Sequence, residues 1–144
     1  MHETGFRILI VDDSTSVRER LVRMLGDLSG VRVVGEAGGA GEAIDRAAVL
    51  LPDLVTLDLE LGDGSGFAVL EAVSTLPSPP LIAVVTNHAA RQVQVRCLSA
   101  GADYVFDKSR EFEGLSKTVA RLAEDHATKG RLRAHRVVDP PPGS

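Results

Sequence analysis

From about residue 6 to residue 125, short apolar runs alternate with stretches in which apolar residues recur every three or four positions. The runs are FRILIV (6–11), VRVVGE (31–36), LVTLDL (54–59), LIAVVT (81–86) and DYVFD (103–107). Several are continuously hydrophobic rather than alternating, which predicts strands buried on both faces of a parallel sheet. The intervening stretches predict helices. Ser14 caps the first, whose stripe is Val17, Leu21, Met24, Leu25 and Leu28. Ala43, Ile44, Ala47, Ala48 and Leu51 form the second, halted by Pro52. Phe67, Leu70 and Val73 give a third; Ala89, Val93, Cys97 and Ala100 a fourth, with Gly101 as its C-terminal glycine. Phe112, Leu115, Val119, Leu122 and Ala123 give the last.

Strict strand–helix alternation with right-handed crossovers predicts an α/β three-layer sandwich, helices on both faces of the sheet. Five such units predict a flavodoxin-like (βα)5 fold with parallel strand order 2-1-3-4-5, whose ligands sit at the carboxyl ends of strands one and three.

Composition narrows the class. The 144 residues suit one domain. A single cysteine, Cys97, excludes an internal disulfide and a multi-cysteine zinc site. No apolar run approaches the ~20 residues of a membrane span, and residues 1–7 lack a signal-peptide pattern, so a cytoplasmic, non-membrane protein is expected. The chain holds 16 basic and 20 acidic residues; residues 129–144 take four and one of these, leaving 12 and 19 in the first 128. An acidic domain repels nucleic acid. The basic, proline-rich segment 129–144 is expected to be a disordered tail after a domain spanning 1–128.

The strand ends carry the chemistry. Strand one runs into Asp12 and Asp13, strand three ends at Asp58, strand four at Thr86, and strand five is followed by Lys108. A parallel sheet brings these ends to one edge, where three carboxylates raise one another's pKa values unless a cation relieves them. Mg²⁺, which takes a few carboxylates and retains waters, fits such a pocket. Strand-end aspartates also serve as ordinary helix caps, Asp13 above all.

The ordered set ILIVDDS (8–14), VTLDLELGDGSGFAVL (55–70), AVVT (83–86) and GADYVFDKS (101–109) resembles the receiver domain of two-component response regulators, over about residues 6–125. The resemblance, to stand-alone receivers of the chemotaxis-regulator type, implies that Asp58 accepts a phosphoryl group from a sensor histidine kinase or a histidine phosphotransfer protein. It implies that Asp13 ligates Mg²⁺ directly and Asp12 through water, with Asp58 and the Glu60 backbone carbonyl completing the protein ligands. Thr86 and Lys108 would bind the phosphoryl group and act as the switch. A downstream protein would read the helix 4–strand 5–helix 5 surface, where Val95 and Leu98 lie off the core stripe of helix four.

The chain departs from the family pattern at three positions. Val105 stands where receivers usually carry an aromatic switch residue, with Tyr104 and Phe106 directed to the opposite face by strand alternation. Ser109 replaces a common proline after the lysine, leaving Asp107 and Ser109 to set that loop. Gly62 replaces another proline and loosens LELGDGSG. Glu60 and His88, each two residues past a site residue, are expected to flank the pocket mouth and set the lifetime of the phosphoryl group. The glycine cluster at 35–44 fails the dinucleotide-loop spacing. Cys97 reads as core, and His2, His126 and His135 form no ligand set.

With only about 16 residues after the last helix, output by surface contact or relay is expected, with no turnover beyond the domain's own aspartyl phosphate. A Mg²⁺-dependent phosphoryl-cleaving enzyme on the same fold, suggested by Asp58-x-Glu60, and a receiver used only as a binding surface are the competing readings.

Overall fold

A computed structural model describes residues 5–87 and 89–138, with side-chain surroundings through residue 129. His88, the expected lifetime modulator, and His2 lie outside the described residues, as do residues 139–144 of the expected tail.

Five strands build the sheet: β1 (Phe6–Val11), β2 (Val31–Ala37), β3 (Leu54–Leu57), β6 (Leu81–Thr86) and β7 (Tyr104–Asp107). All pair in parallel, in the order β2-β1-β3-β6-β7. This is the expected 2-1-3-4-5 topology. Two further two-residue strands, β4 (Glu60–Leu61) and β5 (Gly64–Ser65), form an antiparallel hairpin beside the third strand end. The expected third strand therefore stops at Leu57 rather than at residue 59, and the chain turns back on itself. Two-residue strands carry no periodicity by which a sequence reveals them.

The helices are α1 (Thr15–Gly26), α2 (Ala40–Leu50), α3 (Gly66–Ser74), α4 (Arg91–Ser99) and α5 (Phe112–Val138). Ser14 caps α1 as expected, its hydroxyl accepting from the Val17 N–H at 3.3 Å. Gly101 follows α4 with φ +116°, in the left-handed region that favours glycine.

Two expectations change. In α2, Ala43 and Ala47 are buried with Ile44 and Leu50 packed beside them, whereas Leu51 is 57% exposed and Ala48 is exposed. Leu51 leaves the helix at φ 49° and ψ 60°, and that left-handed turn carries its side chain off the stripe. The boundary expected after residue 128 falls inside α5, which continues to Val138. KGRLRAHR supplies mostly helix-forming, basic residues, which suit a helix C-terminus.

The sheet separates two cores. Leu9, Val11, Val55, Leu57, Ile82 and Val84 pack toward α2, α3 and α4; Ile8, Ile10, Leu54, Ala83, Val85 and Phe106 pack toward α1 and α5. With both faces covered, the carboxyl-end edge is where the sheet offers backbone and side chains to a ligand. No described helix is long and apolar enough to cross a membrane.

Candidate functional site

The pocket is built by backbone bonds that extend the ladder past the strand ends. The Asp58 N–H donates to the Val11 carbonyl at 3.0 Å, the Asp12 N–H to Ala37 at 3.0 Å, and the Lys108 N–H to Thr86 at 2.8 Å. Asp12, Asp58 and Thr86 are thereby held in the floor, 1%, 5% and 0% exposed, while Asp13 and Glu60 stand exposed at the mouth. One carboxylate oxygen each from Asp12, Asp13 and Asp58 lies within 4.8 Å of the other two. The structure thus brings together the three acids expected from the strand ends.

Lys108 spans this cluster from the far side. Its Nζ donates to Asp12 Oδ2 at 2.7 Å and lies 3.3 Å from Asp58 Oδ2. Burial alone would lower the Lys108 pKa, but the hydrogen bond to Asp12 and the charge of Asp58 outweigh it and hold the amine above its usual value. Asp58 is instead pushed toward its neutral form. Burial raises its pKa, outweighing the Glu60 N–H donated to its Oδ1 at 3.2 Å and the Lys108 charge. A carboxylate destabilised by burial beside two other acids is a site short of positive charge.

Those residues fit a hard divalent cation. Oxygen-only, acceptor-only ligands clustered at one open edge suit Mg²⁺, which binds through one or two carboxylates and keeps its waters. Asp12, Asp13 and Asp58 would hold it, and the adjacent Glu60 carbonyl is the expected backbone ligand.

The β7 end explains how Lys108 is aimed without a proline. Asp107 Oδ1 accepts from the Ser109 hydroxyl at 2.6 Å and from its N–H at 2.9 Å, while the Asp107 N–H donates to Glu111 Oε1 at 2.7 Å. The Ser109 bonds hold the Asp107 carboxyl below the usual range. Val105 packs with the α4-side core, and Tyr104 and Phe106 lie on the α5 side, stacked with ring centres 6.2 Å apart. The aromatic pair is therefore across the sheet from the position where an aromatic switch would act.

Sequence reasoning missed two contributors. Gly66 opens α3 directly under the acceptor loop: a Cβ there would collide with the Asp58 carbonyl oxygen and the Leu59 Cα, and its N–H donates to Leu59 at 2.9 Å. Asp63, in the turn between β4 and β5, accepts the Ala40 N–H at 2.7 Å and so caps α2, whose own N-cap, Gly39, has no side chain. DGSG hints at a turn, but nothing in it announces that the aspartate reaches a helix 23 residues earlier. Cys97 is fully buried in α4, and burial pushes its thiol up, as a core residue requires.

The molecule is thus a three-layer parallel α/β domain whose strand ends gather a carboxylate cluster and a half-buried lysine, an arrangement able to hold a divalent cation. The chain belongs to the response regulator receiver domain family, whose profile matches residues 8–120. It is 33% identical over 130 residues to protein-glutamate methylesterase/protein-glutamine glutaminase 3 of Geobacter sulfurreducens, covering 90% of this chain and 34% of that one. The receiver domain of the putative regulator NarL from Mycobacterium tuberculosis superposes with a TM-score of 0.74 at 26% identity, over 86% of this chain and 97% of that one. The response regulator domain of Thermotoga maritima CheB shares the fold, with a TM-score of 0.75 at 23% identity over 86% and 97% of the two chains. The chain spans about a third of the length of the curated relatives it matches.

Proposed function

We propose that this receiver domain accepts a phosphoryl group on Asp58 from the phosphohistidine of a sensor kinase or a histidine phosphotransfer protein, and signals through the resulting change in its surface. The observation that carries this reading is Lys108 Nζ within 3.3 Å of Asp58 and 2.7 Å of Asp12, with the three acids converging on one point.

A carboxylate oxygen of Asp58 attacks the donor phosphorus in line, the P–N bond breaks, and the imidazole leaves with its electron pair and takes a proton. Phosphoryl transfer asks of a protein mainly position and positive charge. A Mg²⁺ ion held by Asp12, Asp13 and Asp58 would supply part of that positive charge. Lys108 stands ready to follow its Asp58 contact onto those oxygens, and Thr86, at the end of β6, to donate its hydroxyl. Both strands end beside the segment leading into α4, so their adjustment repacks the α4–β7–α5 surface. With Val105 in the aromatic's place, the switch runs through backbone and loop rather than an aromatic rotamer. Val95 and Leu98, 56% and 51% exposed on α4, give a partner protein apolar purchase there.

Glu60 and His88 govern how long the phosphoryl group lasts, Glu60 from its exposed position at the pocket mouth. Glu60→Asn is expected to change the dephosphorylation rate severalfold with little effect on phosphorylation; equal lifetimes would remove Glu60 from the account. We assign these residues a cytoplasmic setting and no turnover beyond their own aspartyl phosphate. Incubation with Mg²⁺ and acetyl phosphate is expected to add the mass of one phosphoryl group, and Asp58→Asn to abolish the gain. Continuous release of phosphate without a labelled protein would favour a phosphoryl-cleaving enzyme instead. No gain with small donors or histidine kinases would leave a receiver used only as a binding surface.

A further inference from the structure

The exposed carboxylate of Asp13 has no fixing partner of its own. Among the described residues, no side-chain hydrogen bond or ion pair reaches it, whereas both Asp12 oxygens are engaged, Oδ1 by the Ser14 N–H at 2.9 Å and Oδ2 by Lys108. Where Asp13 points is therefore decided by the backbone that carries it, and first by the peptide joining Asp12 to Asp13.

That peptide is held by a side chain from the next element. Arg18, in the first turn of α1, leans back toward the helix N-terminus as helical side chains do. Its NH1 donates to the Asp12 carbonyl at 2.6 Å, its Nε to Glu36 Oε1 at 3.2 Å and its NH2 to Thr15 Oγ1 at 3.4 Å. The guanidinium is thus anchored to β2 at one end and to the Asp12–Asp13 peptide at the other. Gly38 keeps its space open: a Cβ there would stand 3.0 Å from Arg18 NH1. The Arg18 side chain is 19% exposed, and a planar fork bonded on several sides is stiffer than a solvated lysine.

We propose that Arg18 is a positioning residue for the divalent-cation site, orienting the Asp12–Asp13 peptide so that the Asp13 carboxylate faces the cation. The proposal rests on the reading of the acid cluster as a Mg²⁺ site. Partners that orient metal ligands typically carry about 10- to 100-fold in affinity.

Charge alone predicts the opposite sign, and this makes the test sharp. Removing a cation near a cation site should tighten Mg²⁺ binding, whereas removing a positioning group should weaken it. The experiment is calorimetric titration of the unphosphorylated chain with MgCl2, with no phosphoryl donor present. Arg18→Ala is expected to raise the Mg²⁺ Kd about tenfold. Arg18→Lys, which keeps the charge but not the fork, is expected to raise it severalfold, and it serves alone should the alanine variant not fold. An unchanged or lower Kd in folded Arg18→Ala, or a wild-type Kd in Arg18→Lys, overturns the proposal. Failure of the unsubstituted chain to bind Mg²⁺ would instead overturn the metal site itself, and this proposal with it.

Discussion

Asp58 is costly to the resting fold. Its carboxyl is buried, stands near Asp12 and binds its proton more tightly than an ordinary aspartate. The sign of the pH dependence follows. A carboxyl whose pKa is raised by folding makes the folded state hold more protons, so the penalty is full above the raised value and fades as pH falls toward the unfolded value near 3.8. Asp58→Asn is therefore expected to raise Tm in metal-free buffer near pH 7, by about 4 °C for each 1 kcal/mol recovered. The advantage should shrink as the solution is acidified through that window. Thermal melts of both proteins across pH check this, and a lower Tm for the variant at neutral pH would contradict it. A divalent cation held among these carboxylates would relieve the same burial and repulsion. At this scale the sequence was informative about identity but silent on support. Asp12, Asp13, Asp58, Thr86 and Lys108 stand at strand ends that a parallel sheet must align. The Arg18 bond to the Asp12 carbonyl, by contrast, follows from how α1 leaves the strand, and no spacing rule announces it.

Among the elements, the segment between β3 and α3 is the least forgiving. It reverses through the β4–β5 hairpin, lends Asp63 to the N-terminus of α2 and passes over Gly66 in contact with the Asp58 carbonyl. Gly66→Ala is expected to cost about 3 kcal/mol, since the new methyl meets backbone rather than a side chain that can swing away. Denaturant unfolding measures the loss, and an unchanged midpoint would show that α3 can shift at no cost. The buried strands and most helix stripes were legible because continuous apolar runs and a 3.6-residue period survive in the sequence. The hairpin was not, being two residues per strand, and the α2 stripe was misread at Leu51 because a left-handed C-cap redirects the chain. In α5 the proline-rich end drew attention from the helix-forming residues before it, which carry the helix to Val138.

For the molecule as a whole, the proposed function has one edge of the sheet receive the signal and another surface deliver it. Thr86 ends β6 and Lys108 follows β7, the strand packed against α4 and α5, so the pocket and the proposed docking face share a backbone. Paired Val95→Asp and Leu98→Asp substitutions are expected to weaken partner binding at least tenfold while leaving the rate of phosphorylation by acetyl phosphate unchanged. These side chains are already more than half exposed, so the fold loses little. Retained partner affinity in a pull-down with the cognate effector would move the output face elsewhere.

The proposed signalling depends on an acyl phosphate forming at Asp58. Borohydride reduces such a phosphate, and only that group among the acids, to the alcohol of homoserine. Peptide mapping of the chain after Mg²⁺, acetyl phosphate and borohydride should find homoserine at position 58. Its absence there, or its appearance at Asp12 or Asp13 instead, would contradict this chemistry.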